Sequence, residues 1–195
     1  MFENEIKKIL EAVPEKSGHM PYIIAIDGRC ASGKTTLAAE LSEKLDCNVF
    51  HMDDFFLRPC QRTEERLSEA GGNCDRERFY DEVIAPLKTG EGFSYRPFDC
   101  KSMSLLDPVS VSPKKYAVIE GSYSCHPILS ENYHLRIFMS VSPDEQMRRI
   151  IGRCGSERAE MFRDRWIPME EKYFTELDVK SSCDICFEYE NGELI

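Results

Sequence analysis

Residues 28–35 read Gly-Arg-Cys-Ala-Ser-Gly-Lys-Thr: a glycine, four intervening residues, then glycine, lysine and a hydroxyl residue. That spacing suits a phosphate cradle. Glycine lets the backbone curl until successive N–H groups point inward at phosphate oxygens. A helix opening near Lys34 adds the positive end of its dipole. Lys34 can then reach the β- and γ-phosphates, and the Thr35 hydroxyl is placed to coordinate Mg2+. The expected nucleotide-binding set is Gly28, Arg29, Cys30, Ala31, Ser32, Gly33, Lys34, Thr35 and Thr36. The plainer reading is a glycine turn carrying an exposed lysine.

Together with that loop, His51-Met-Asp-Asp-Phe-Phe56, Gly72-Asn-Cys-Asp-Arg-Glu-Arg-Phe79, Tyr95-Arg-Pro-Phe-Asp99 and Tyr116-Ala-Val-Ile-Glu-Gly121 make the chain resemble the uridine kinase family, to which nicotinamide riboside and phosphoribulose kinases are similar; the resemblance runs from about Tyr22 to Phe174. His51-Met-Asp-Asp-Phe-Phe56 resembles the segment in which an aspartate closing the second strand activates the acceptor hydroxyl, which implies Asp53 as the base, with Asp54 as the alternative. A carboxylate there can take the departing proton and help hold Mg2+. Otherwise it is a turn or helix cap. Gly72-Asn-Cys-Asp-Arg-Glu-Arg-Phe79 resembles the stretch that binds acceptor hydroxyls, implying Asp75 and Arg78; a carboxylate can accept two hydrogen bonds from a diol, though Asp75 could equally cap the following helix. Tyr116-Ala-Val-Ile-Glu-Gly121 resembles the buried strand whose final glutamate orients a metal-bound water, which makes Glu120 a metal-site residue with Thr35 and Asp53. Tyr95-Arg-Pro-Phe-Asp99 falls where acceptor recognition is expected, implying Tyr95 and Phe98; Lys101 stands in the neighbourhood where uridine kinases carry a histidine.

Arg148, Arg149, Arg153, Arg158, Arg163 and Arg165 crowd into residues 148–165. This resembles an arginine-bearing lid. Arg149 and Arg153 lie four apart on one helical face, so both could neutralise charge developing during phosphoryl transfer. Glu157, Glu160 and Asp164 nearby also allow a solvated, salt-bridged surface. The expected catalytic set is Asp53, Lys34, Arg149 and Arg153, with ATP and Mg2+ as cofactors. The implied activity is γ-phosphate transfer from ATP to a hydroxyl of a nucleoside or related polyol. A nucleotide-binding regulator, or a kinase for nicotinamide riboside, glycerate or a sugar phosphate, stands as the alternative. A switch GTPase is disfavoured because no Asn-Lys-x-Asp segment is present.

These residues need strands to aim them. Tyr22–Ile26 reads as a buried strand, and Leu37, Leu41 and Leu45 mark the helix after it. Asn48–Met52 reads as a second strand ending at Asp53, and Tyr116–Ile119 as a third. Leu135, Ile137, Met139 and Val141 alternate with less apolar neighbours to give a fourth. Ser142-Pro-Asp-Glu145 is then a capping box opening a helix through Arg153. Ile6, Ile9, Leu10 and Val13 predict a packing helix over 2–13, and Phe79, Val83, Ile84 and Leu87 another helical stripe. Gly71-Gly72 marks a loop, and Pro97, Pro108 and Pro113 punctuate a long irregular segment. Alternating strands and helices predict an α/β P-loop NTPase fold, a mainly parallel sheet flanked by helices, in one domain over 1–195 with a lid at about 148–165.

The bulk numbers restrict the partners. A net charge of −10 repels polyanions at long range, which excludes general nucleic-acid and anionic-membrane binding and leaves ATP and a small acceptor as expected partners; a homo-oligomer is compatible. No apolar run approaches membrane-spanning length. Nine irregularly spaced cysteines read as reduced thiols of a cytoplasmic protein, Cys183 and Cys186 as ordinary strand cysteines. His19, His51, His126 and His134 lack ligand spacing and read as structural or surface residues.

Overall fold

The computed structural model describes residues 2–15, 20–190 and 193–194. His19 lies outside the described residues. A six-stranded sheet is built from β1 (Tyr22–Gly28), β2 (Cys47–His51), β3 (Tyr116–Glu120), β4 (Leu135–Val141), β5 (Ile185–Glu190) and β6 (Glu193–Leu194), in the order β6-β5-β4-β1-β3-β2. All neighbours are parallel except β5 and β6. Parallel strands are covered on both faces, which is why β1 can be apolar along most of its length. Ile23 and Ala25 enter one core cluster with Phe50, Ile119 and Phe79, while Ile24 and Ile26 enter a second with Leu37, Val118 and Met139.

Helix α1 (Glu3–Ala12) packs Ile6 and Ile9 into the second cluster. Helix α2 (Lys34–Ser42) follows β1, and the stripe predicted to run to Leu45 stops one turn short. Helix α3 (Pro143–Cys154) follows β4, and α4 (Ile167–Glu176) leads back toward β5. Between α3 and α4 run a short helix, Ser156–Met161, and a π turn, Phe162–Trp166.

Three local expectations need correction. The capping box before α3 is only half formed: Ser142 Oγ accepts from the Glu145 amide at 3.4 Å, but the Glu145 carboxylate turns to Arg148 and Arg149 instead of reaching back. Two arginines offer a stronger, charge-assisted partner than one amide. The segment read as irregular contains two small antiparallel ribbons, Phe93–Tyr95 with Val109–Val111 and Phe98–Asp99 with Ser104–Leu105. Strands two or three residues long are too short for an alternation signal. Finally, the helical stripe around Phe79 to Leu87 contains a π turn at Tyr80–Ile84 just before Pro86. Among the described residues no helix is long and apolar enough to cross a membrane.

Candidate active site

The register of the sheet decides what meets what. Ile26 and His51 are both paired with Glu120, so β2 and β3 end level and β1 runs two residues further, to Gly28. Because β3 lies between β1 and β2, Glu120 stands between the loop after β1 and the segment Met52–Phe55 that follows β2. In parallel sheets, the edge where strands deliver their C-terminal ends is where ligands bind.

Gly28 closes β1 with φ +127, and a Cβ there would fall 1.9 Å from Met139 O on β4. Its absence lets the chain leave the sheet close against β4, where the Arg29 amide donates to Met139 O at 3.1 Å. Helix α2 then opens with Gly33 as its N-cap and no side-chain cap, so its first amides carry no protein acceptor from a capping side chain. Lys34 Nζ donates to Gly28 O at 2.7 Å and Arg29 O at 2.8 Å, which curls the loop over its own ammonium. The Ser32 hydroxyl is buried without a partner. An orphaned donor inside a ring of backbone amides fits a phosphate group.

Thr35 Oγ1 lies 3.2 Å from both Glu120 oxygens, and His51 Nδ1 lies 2.5 Å from Glu120 Oε1. Glu120 is buried, and its hydrogen bond holds His51 above the ordinary histidine value. His51, read from the sequence as structural, therefore sits against a candidate metal-site carboxylate. Its signal was position, two residues before Asp53. The other described histidines do structural work: His126 caps Pro127–Ser130, where burial brings it down to about 4, and His134 accepts from the Ile23 amide at 3.0 Å.

A cleft of roughly 1490 Å3 opens over this edge, lined by the loop residues Cys30–Thr36 and by Asp53, Glu120, Arg148, Arg149 and Arg153. Sites for one ligand usually span about 300–1,000 Å3, so this volume has room for a nucleotide and a second molecule. Asp53 opens to solvent within it, while Asp54 does not line it. Dehydration against the cleft wall and then the Glu120 carboxylate push Asp53 above the usual aspartate value, with Lys34 and His51 pulling the other way. Glu120, Lys34, His51 and Asp53 thus act on one another.

Of the arginine cluster, Arg148, Arg149 and Arg153 face the cleft. Arg149 donates to Ala31 O at 3.2 Å and Ser32 O at 3.4 Å, joining α3 to the loop after β1. Arg148 and then Arg149 hold Glu145 down to about 2. Arg153 lies over the Phe162 ring. Arg158, Arg163 and Arg165 do not line the cleft. Arg163 pairs with Asp164, as a salt-bridged surface requires.

The residues expected to bind the acceptor are placed differently. Asp75 is buried, caps the helix that follows, and pairs with Arg78 at 3.3 Å and Arg58 at 3.7 Å. Arg78 spends its remaining donors on Glu82, Arg96 O and Asp54 O, over the Phe55 ring. Tyr95 stacks on Phe55, where burial pushes it up to about 12, and Phe98 is buried. None of these four lines the cleft; Phe56, Arg62, Asn73, Cys100 and Met103 do. The reason is physical: large aromatic and capping side chains are worth more in the core beneath Met52–Phe55 than facing water. Arg78 instead props that segment from below through Asp54 O.

Two contributors were missed. Glu170 on α4 accepts from the Cys30 amide at 3.0 Å and from Ser122 Oγ at 2.5 Å, seating a carboxylate at the rim of the cradle. Nothing in its local sequence separates it from the acids around it. Phe2, Glu3, Asn4 and Glu5 line the far end of the cleft, so the packing helix also borders the site.

Asp27 fastens the cradle to its surroundings. Its carboxylate accepts from the Gly28 amide at 2.6 Å, the Cys125 amide at 2.8 Å and Tyr173 Oη at 2.8 Å. Burial pushes it up to about 6. Between the ordinary aspartate value and about 6, the folded chain holds a proton that the unfolded chain has released. This group therefore favours folding at low pH and costs stability as the pH rises through its folded value. Asp27→Asn removes that titration, so the stability of the variant relative to wild type is expected to rise between about pH 4 and pH 7, by up to roughly 3 kcal/mol. Thermal denaturation across that range reads it; a difference independent of pH would contradict the assignment.

Relatives bear on this geometry. The chain is 28% identical over 148 residues to uridine-cytidine kinase B of Dictyostelium discoideum, covering 71% of this chain and 60% of that one. It thus spans about three-fifths of that relative's length. It is 27% identical over 155 residues to a uridine kinase of Ureaplasma parvum serovar 3, covering 73% of each. A solved structure described as a possible uridine kinase from Bacillus stearothermophilus shares the fold, with a TM-score of 0.71 over 95% of this chain and 96% of that one at 21% identity. No protein-family profile matches.

Proposed function

Starting from a chain that is uridine kinase-like in sequence and a P-loop kinase in fold, we propose that it transfers the γ-phosphate of ATP to a hydroxyl of a nucleoside or related small polyol. The observation that carries this reading is convergence. The Lys34 loop, the Thr35–Glu120 contact and Asp53 leave three adjacent strand ends and face one cleft large enough for two reactants.

In this reading the loop amides and Lys34 hold the β- and γ-phosphates. The acceptor hydroxyl enters beside Asp53, which takes its proton as the oxygen attacks the γ-phosphorus; the bond to the β-phosphate oxygen breaks and ADP leaves. Arg149 and Arg153 neutralise the charge that builds on the transferring group. Among the described residues no group of three or more His, Cys, Asp or Glu is arranged to hold a metal by itself. That suits magnesium, which keeps several waters and leans on substrate phosphates. Bound there, it would add charge neutralisation, with Thr35, Asp53 and Glu120 as its protein neighbours. The α4 and lid segments exclude water, limiting futile hydrolysis of ATP.

Incubation with Mg-ATP and a panel of nucleosides, ribosides, sugar phosphates and glycerate tests the proposal, followed by ADP release and product mass. The expected result is ADP formation that depends on one acceptor class, with a product 80 mass units, about the mass of one phosphoryl group, heavier than that acceptor. ADP formation indifferent to every acceptor would reject it.

A further inference from the structure

Arg62 has no role in the sequence reading, yet it lines the cleft together with Asp53, Asn73, Cys100 and Met103. Its Nε donates to Leu57 O at 2.9 Å, which fixes the base of the guanidinium, and the group also meets the Cys100 thiol, a weak acceptor. Arg58, Arg66, Arg76 and Arg78 in the same region are each ion-paired, whereas among the described residues Arg62 forms no ion pair. Its position is marked by Cys100: dehydration pushes that thiol up, Arg62 beside it pulls it back, and Asp53 acts on the same sulfur. Cys100, Arg62 and Asp53 thus line one cleft, with the thiol within electrostatic reach of both. Among the described residues Asp53 forms no ion pair with Arg62; after burial, the groups that act on it most are Glu120, Lys34, His51 and Glu170.

A partly buried guanidinium with no carboxylate partner, in a chain of net charge −10, offers a local anion site in a field that otherwise repels anions. It is carried by the segment that follows β2 and Asp53, not by the loop after β1. A neutral nucleoside offers this fork only carbonyl and hydroxyl oxygens, weaker partners than an oxyanion. We propose that Arg62 binds an oxyanion, carboxylate or phosphate, carried by the acceptor, so that the acceptor is a hydroxy acid or a sugar phosphate. This rests on the kinase reading above and narrows it.

Matched pairs test it: D-glycerate against glycerol, D-ribose 5-phosphate against D-ribose, and uridine as the neutral nucleoside, each with Mg-ATP. The charged member of a pair is expected to be the better acceptor, and the preferred pair tells carboxylate from phosphate. In Arg62→Met the KM for that acceptor should rise roughly ten- to hundredfold, with the KM for ATP unchanged. Arg62→Lys should recover part of the loss. An unchanged ATP constant shows that the variants are folded. Preference for uridine or a neutral sugar, or an Arg62→Met KM equal to wild type, would overturn the inference while leaving the kinase reading intact. Absence of product with every acceptor would reject the kinase reading, and this inference with it.

Discussion

Asp53→Asn is expected to lower kcat by roughly a hundred- to ten-thousandfold while ATP affinity stays within a few-fold of wild type. The amide matches the carboxylate in shape but cannot take a proton, so the loss falls on the chemical step. Titration of ATP by fluorescence or calorimetry, beside steady-state turnover, separates the two. A comparable loss in ATP affinity would make Asp53 a nucleotide ligand and leave the base unassigned. In wild type, dehydration and Glu120 raise the Asp53 carboxyl, so the acidic limb of kcat/KM should lie above the ordinary aspartate value. The sign follows directly: below that limb Asp53 is protonated and cannot accept. Asp54→Asn supplies the contrast. Asp54 does not line the cleft and its backbone oxygen is held by Arg78, so its variant should keep most of its turnover.

Gly28→Ala should damage the fold as well as the site. The added Cβ would fall 1.9 Å from a backbone oxygen of β4, at a φ of +127 that side chains rarely adopt. Neither neighbour is the flexible end of a side chain, so relief requires β1 and β4 to separate. Strain at such positions costs on the order of 1–3 kcal/mol before any clash is counted, and a chain this size loses roughly 2–4 °C in Tm per kcal/mol. A fall of about 10 °C or more is therefore expected, with loss of ATP binding at any temperature where the variant remains folded. A variant that melts with wild type and binds ATP would show that the cradle tolerates a side chain at Gly28. Gly121 offers a milder case after β3, where a Cβ would fall 2.9 Å from the Met52 Cβ.

The strand, loop and helix that would cradle phosphate were legible because their pattern is local: eight consecutive residues carry the glycines, the lysine and the hydroxyl, and the strand and helix around them have ordinary periodicity. The strand ends at Asp53 and Glu120 were legible for the same reason. What the sequence could not supply was the neighbour across the sheet. His51 has no ligand spacing along the chain and reaches Glu120 only because β2 pairs with β3 in a register that sets them side by side. Glu170 meets the Cys30 amide across 140 residues. The residues expected at the acceptor proved buried because Asp75, Arg78, Tyr95 and Phe98 are suited both to binding a substrate and to building the floor of the cleft. Burial decides between those uses, and it depends on the small ribbons at Phe93–Tyr95 and Phe98–Asp99, which are too short to announce themselves. Arg62 escaped notice among many arginines; its distinction, the lack of an ion pair among the described residues, exists only in three dimensions.

The central claim is that an acceptor hydroxyl and the terminal phosphate of ATP meet between Lys34 and Asp53. A crystal structure with a non-hydrolysable ATP analogue, Mg2+ and the acceptor found by the panel tests it most directly. The predicted result is a γ-phosphate seated against the loop amides and Lys34, with the acceptor hydroxyl within hydrogen-bond reach of Asp53, about 2.6–3.2 Å, and roughly in line with the bond to be broken. A nucleotide bound away from that loop, or an acceptor whose hydroxyl points away from Asp53 with no path to the phosphate, would contradict it.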